Sequence, residues 1–400
     1  MRMSGYLGAL AFAGSLISPA AAGEKSIKIG VLTDLTSFAS TAAGPGSVLG
    51  AQLAVEHFGG KALNKPVEVI SADMQSKPDL AVQIARRWYE AENVDLIVDV
   101  PASAAAIAIQ AMATEKDKLY MATVAATPVL TLKGCSPNAV HWVNNTPALA
   151  RSPVSALMKD GAKTWFMIMP DYQLGKDLVA EATPLIEQLG GKVLDTIYFP
   201  TGSGDFSQYL LRAQASGADV IASGGVGLDL SNLIKQAVEF NILPASKQRL
   251  AAFVMNLSDV HAVGLNTMQG VYVMQEYYWD HDHSMRVFGK AFYARFNNRM
   301  PNYTHAANYS GVSAYLKTVA DIGTDDPKKV VARMKEVGAP RWGEQIKVRQ
   351  DGRAVYGAEL YQVKSPAESK APWDYLKPVA AISPEQMFLP PDPSQCPLLH

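Results

Sequence analysis

The feature that most restricts the fold is an alternation, carried along nearly the whole chain, between short β-branched runs and longer stretches with apolar residues at helical spacing. Runs at 27–32, 67–73, 95–100 and 119–124 read as buried strands, with helical patterns between them at 47–57, 79–92 and 103–115. The second of these helices places Leu80, Ile84 and Trp88 on one face. A second set of strands follows at 164–169, 193–199, 219–223, 251–255 and 270–275, again with helices between them. Alternation of this kind marks βαβ units with parallel strands, so the predicted class is α/β in two similar halves. Asp205 reads as an N-cap for the helix carrying Phe206, Leu210 and Ala213, and Asp219 opens a strand much as Asp95 does. From 284 to 338 the pattern is helical, and 345–348 with 355–363 flank Asp351-Gly352 as a hairpin. Helices that follow the second half need a sheet to cover. Returning them to the first half makes the connection multi-stranded and hinge-like.

The ends of the chain carry a different message. Arg2 precedes an apolar stretch from Gly5 to Ser18, and Ala20-Ala21-Ala22 then supplies an A-x-A cleavage site, which reads as a signal peptide covering residues 1–22. That stretch is too short to cross a bilayer, and later apolar runs are broken by charged or turn residues. The expected location is the periplasm. Removing Arg2 from a formal charge of −1 leaves −2, with Lys and Arg spread evenly, so nucleic acid is a poor partner. Cys135 and Cys396 are the only cysteines, and export favours a disulfide between them that ties the C-terminal tail to the first half.

Motifs for chemistry are sparse. Gly44-Pro45-Gly46 with Gly50 lies too far beyond the first strand, and in the wrong spacing, for a dinucleotide loop; a loop leading into a helix is the expectation, and no cofactor. His281 and His283 lack a third ligand at a defined spacing, so a solvated loop is expected and no metal. No G-x-S-x-G elbow or H-E-x-x-H helix occurs, and the chain is read as a non-enzyme. Gly224-Gly225-Val226-Gly227, just past a strand, is equally a ligand-approach turn or a tight βα turn. Small and hydroxyl residues gather at other strand ends: Thr36-Ser37-Phe38, Ala102-Ser103-Ala104 and Thr123-Val124. The helix opening at Ser103 suits a carboxylate, although Ser103 acting only as a cap would also account for it.

Several segments make the chain recognisable. Gly46-Ser47-Val48-Leu49-Gly50-Ala51-Gln52, Asp99-Val100-Pro101-Ala102-Ser103, Gly134-Cys135-Ser136-Pro137-Asn138, Pro170-Asp171-Tyr172-Gln173, Ser258-Asp259-Val260-His261 and Pro366-Ala367-Glu368-Ser369 resemble the type I periplasmic binding proteins of the Leu/Ile/Val-binding class. The resemblance implies two Rossmann-like lobes with parallel central sheets and a three-crossing hinge. The N-terminal lobe would take 23–146 and 280–344, the C-terminal lobe 147–279 and 345–380, and the tail 381–400. It implies a monomeric ABC-importer component that closes on a small carboxylate-bearing molecule and docks transiently on permease subunits. A sensory domain feeding a receptor uses the same trap and stays open as an alternative.

The same resemblance sets the ligand-binding candidates. Ser103 and Thr123 match the carboxylate-holding strand ends, and Tyr172 matches the aromatic residue that closes from the second lobe. Around them stand Ser37, Phe38, Ala102, Ala104, Val124, Asn145, Gly225, Val226 and Asn256. Where amino-acid-binding members place an acidic residue for the ammonium, this chain has Met255-Asn256-Leu257, which leaves Asp171 or Asp229 for that role. An aromatic or other small acid, or an amide, is therefore as suitable a ligand as a branched-chain amino acid.

Overall fold

The computed structural model describes residues 26–37, 39–243 and 247–400; the signal-peptide expectation and Phe38 lie outside them. The first sheet contains β1 (Ile27–Thr33), β2 (Lys61–Ala62), β3 (Lys65–Asp73), β4 (Leu96–Asp99), β5 (Leu119–Ala122) and β6 (Ala139–His141) in the order β2-β3-β1-β4-β5-β6. All its pairings are parallel except the short β2–β3 ribbon. The second sheet is built on β7 (Thr164–Pro170), β8 (Lys192–Phe199), β9 (Val220–Ser223), β10 (Arg249–Ala252) and β11 (Tyr272–Gln275). Its parallel part runs β11-β10-β9-β7-β8, so the first strand of each lobe lies between the second and the third, the doubly wound arrangement.

The two lobes repeat even a local device. Asp95 Oδ2 accepts from Lys28 N at 2.9 Å, tying the start of β4 to β1, and Asp219 Oδ2 accepts from Thr164 N at 2.8 Å, tying β9 to β7. Each sheet is covered on both faces. In the first lobe Trp88 and Ile109 pack on one side and Trp142 and Tyr315 on the other.

The C-terminal segment departs from expectation. After β12 (Ala339–Arg341), β13 (Glu344–Val348) and β14 (Ala354–Val355) form a small antiparallel sheet with it. This sheet packs on helices Tyr303–Ile322 and Pro327–Val337, which cover the first lobe, and Arg353 bridges to His141 of β6. Residues 345–355 therefore sit with the first lobe, not the second. The expected hairpin turns at Asp351-Gly352 but closes with β14, whereas β15 (Ala358–Val363) leaves to pair antiparallel with β11, and β16 (Leu376–Ile382) pairs with β15. The physical reason is that β14 is only two residues long: the chain crosses at Tyr356-Gly357, and the single strand expected at 355–363 is divided between two sheets.

Two smaller expectations also shift. The helix opened by Asp205 runs Ser207–Ser216, with Phe206 at the N-cap, and Asp205 instead accepts from Ser207 N at 2.8 Å in a turn just before it. The helix after the first strand begins at Gly44, with Pro45 in its first turn. Its glycines are there for packing: a Cβ on Gly46 would stand 2.5 Å from the His305 ring, and one on Gly50 would stand 2.5 Å from the His305 carbonyl oxygen.

Cys135 and Cys396 are disulfide-bonded, with Cα atoms 5.7 Å apart. Beyond β16 the tail packs its short helix Pro384–Met387 on helix Thr146–Lys159 of the second lobe before reaching Cys135 in the first.

Candidate ligand-binding cleft

The hinge fixes which surfaces of the lobes meet. The chain leaves the carboxyl end of β6 through Asn144, returns from the carboxyl end of β11 through Glu276, and crosses again at Tyr356. Glu276 joins all three: its Oε1 accepts from Asn144 Nδ2 at 3.3 Å, and its Oε2 lies 3.4 Å from Arg341 Nη2 and against the Tyr356 hydroxyl. Burial pushes the Glu276 carboxyl up, with Arg341 and Tyr356 opposing the shift. Arg353, fully buried, donates to the carbonyls of His141 and Val143 and clips the third crossing to the first. With β6 and β11 both delivering their carboxyl ends to this junction, the strand tips of each lobe border the space between them.

Within a doubly wound sheet the ligand crevice opens where the strand order reverses, here beside β1 and β4 in the first lobe and β7 and β9 in the second. Helix Ser103–Glu115 begins directly after β4. Its N-cap is Ala102, which offers no side-chain acceptor, so Ser103 does not cap the helix and the first-turn amides have no side-chain cap among the described residues. Ser103 and Ala104 are exposed, while Ala102 and Val124 are half-buried. On the second lobe Tyr172 occupies the N-cap of helix Gln173–Gln188 and is 39% exposed, Val226 is 41% exposed, and Leu228 stands out at 80%. Burial and the neighbouring Asp229 raise the Tyr172 phenol above its ordinary value.

Other candidates are engaged within the protein. The Thr123 hydroxyl is buried, accepting from Asp99 N and donating to Asn308 Oδ1, both at 2.9 Å. Asn145 caps helix Thr146–Lys159 by accepting from Ala148 N at 3.1 Å. Ser37 donates to Asp34, whose carboxyl is held low by hydrogen bonds from Ser37 and Ser76 against an opposing effect of burial. Gly225 is buried beside Leu230, and a Cβ on Gly224 would meet Leu178 and Met169 at 2.8 Å, so these glycines serve strand-to-helix packing first. Asn256 is buried at the N-cap of helix Leu257–Val263, its Oδ1 without a partner among the described residues. Of the two acids proposed for an ammonium, Asp171 is exposed and lies 3.6 Å from Lys176, whereas Asp229 is buried and accepts from Gly202 N at 3.1 Å.

Sequence reasoning missed Asp99. It is fully buried beneath the switch point, and both it and Val100 adopt positive φ, 77° and 60°. Asn308 Nδ2 donates to its Oδ2 at 2.9 Å, Oδ1 has no hydrogen-bond partner among the described residues, and burial pushes the carboxyl up to about 7. A buried, off-region carboxylate at a strand tip has no local sequence signature.

A family model described as periplasmic binding protein matches residues 26–370. The chain belongs to this family. A periplasmic binding protein from Burkholderia mallei is 39% identical, covering 91% of this chain and 96% of its own, with a TM-score of 0.81. A branched chain amino acid ABC transporter periplasmic ligand-binding protein from Burkholderia xenovorans LB400 is 38% identical over 91% of this chain and 97% of its own, at 0.87. A solute binding protein from R. palustris in complex with benzoate shares the fold at 19% identity and a TM-score of 0.76, over 90% of this chain and 97% of its own. No curated protein matches. Among the described residues of this periplasmic binding protein no three His, Cys, Asp or Glu side chains gather as metal ligands, and no helix is long and apolar enough to cross a membrane. Its His281 bonds through Nδ1 to the Tyr361 hydroxyl at 3.0 Å.

Proposed function

We propose that this protein is the periplasmic substrate-binding component of an ABC importer and that it closes on a small carboxylate-bearing molecule with an apolar or aromatic body. The observation that carries the reading is the contrast between the two rims: uncapped helix amides and Ser103 on one, and exposed Tyr172, Val226 and Leu228 on the other. Amides at a helix start favour an anion, and apolar side chains that stand in water in the open form gain by covering a ligand on closure. Ala102, Ala104 and Val124 complete the first wall, with Gly225 and Asn256 in the second. Ser37, Thr123 and Asn145 hold these walls in shape from behind.

Asp229 beside Tyr172 is the carboxylate available to an ammonium. Its substitution separates two ligand classes: Asp229→Asn weakens amino acids and leaves simple benzoates unaffected. The protein works as a monomer, docks on the permease through its lobe surfaces once closed, and carries out no catalysis itself. It reaches the periplasm through the N-terminal signal. A thermal-shift panel of leucine, benzoate, 4-hydroxybenzoate and acetamide identifies the ligand, because whatever binds the native state raises its melting temperature. Small-angle scattering with the best of these at saturation is expected to show compaction. An unchanged radius of gyration with a bound, saturating ligand rejects the reading.

A further inference from the structure

A pocket of about 300 Å³ lies between the C-terminal end of helix Gly44–Phe58, helix Tyr303–Ile322 and the turn joining β12 to β13, and none of the strand-tip candidates of the cleft is among its lining residues. Its basic side chains are His57, Lys317 and Arg341, and no carboxylate is among its lining residues. Among the described residues Lys317 has no ion-pair partner. Arg341 is 6% exposed; its Nη2 faces Glu276, but its buried Nε has no acceptor among the described residues. The indole Nε1 of Trp342 is likewise buried with no partner among the described residues.

The backbone under Trp342 points the same way. Arg341 pairs with Glu344, so Trp342 and Gly343 form a two-residue turn with φ 49° and 85°. Turns of this kind favour Asn-Gly or Gly-Gly, and a tryptophan in the left-handed region is disfavoured. Here the indole stacks on Tyr309 with ring centroids 5.6 Å apart and planes 15° from parallel, while Tyr309 is itself fixed by a 2.9 Å hydrogen bond to His57 Nδ1. A strained turn thus holds a rigid aromatic side chain at the wall of a pocket lined by Arg341 and Trp342, each with a buried N–H that lacks a partner among the described residues, and by Lys317, which has no ion-pair partner there. Buried donors without acceptors are costly, and an oxyanion answers all of them at once.

We propose that this pocket is a second binding site, separate from the cleft, for a small oxyanion: inorganic phosphate or sulfate, or the carboxylate of a small organic acid. Lys317 supplies the charge, and Arg341 Nε and Trp342 Nε1 supply directed hydrogen bonds. Ser284, Ser310 and Ser313 place hydroxyls along its lining. The inference stands apart from the transport reading, since it depends on neither Ser103 nor Tyr172.

Calorimetric titration of the purified protein with phosphate, sulfate and acetate at constant ionic strength tests it. Saturable binding at one site is expected for at least one of the three, and which anion binds distinguishes the inorganic source from the organic one. Lys317→Met and Trp342→Phe are each expected to weaken that binding by about ten-fold, the scale of one lost charge-assisted contact. Tyr172→Ala leaves it unchanged. Lys317 is exposed, so its replacement reports on the site even should the Trp342 variant misfold. Absence of saturable heat with all three anions, or binding indifferent to Lys317→Met, overturns the proposal whatever the cleft is found to bind.

Discussion

Asp99 shows how one side chain links stability to pH. Its folded-state carboxyl titrates at about 7, while an unfolded aspartate titrates near 3.9, so between those values the native state holds a proton that the unfolded chain has released. Stability from this group is therefore greatest at acid pH and falls as pH rises from about 4 to 7. Asp99→Asn keeps the acceptor for Asn308 and removes the ionisation. The melting temperature of the variant relative to the parent should rise between pH 5 and pH 8, by the equivalent of about 2–4 kcal/mol at most; a difference that does not vary with pH would show that Asp99 does not titrate in this range. At the opposite rim, Tyr172 is part-exposed and caps nothing with its side chain. Tyr172→Ala should weaken ligand binding by about ten- to one-hundred-fold, as loss of an aromatic anchor does, with the melting temperature of the empty protein unchanged. Equal affinity in calorimetry would remove Tyr172 from the site.

Among the elements, the pairing of helix Gly44–Phe58 with Tyr303–Ile322 depends on close backbone approach at Gly50. Gly50→Ala places a methyl 2.5 Å from a carbonyl oxygen that cannot swing aside, and should cost about 1–3 kcal/mol in urea unfolding. A neutral result would mean that the helices separate without penalty. The sequence reveals the long parallel strands well, because Ile27–Thr33 and Thr164–Pro170 are buried almost throughout and read as apolar runs, interrupted in the first only by the half-buried Lys28. It conceals β2 and β6, of two and three residues, which are too short to show a period. The change of sheet between β14 and β15 is also hidden, since only Tyr356-Gly357 separates them and the pattern reads on as one strand. What could be read from the sequence is position in the βα unit: Ser103 and Tyr172 both fall at helix starts just past a strand and both are exposed. The site was not legible where the partner decides: Thr123 is claimed by Asn308, 185 residues away, and Arg341 by Glu276 across the hinge.

For the molecule as a whole, the tail is a fourth connection between the lobes, because β16 belongs to the second sheet and Cys396 is bonded in the first lobe. Replacing both cysteines by alanine should lower stability by about 2–5 kcal/mol in denaturant titration. An unchanged urea midpoint would show that the tail holds its place by packing alone. The disulfide spans 261 residues of sequence, and that interval contains all three hinge crossings. A protease that cuts the backbone once anywhere inside it produces two pieces that cannot diffuse apart. Such nicked protein should migrate as one band without dithiothreitol and as two bands with it, and an importer meeting it outside the inner membrane would still be offered both halves of the trap.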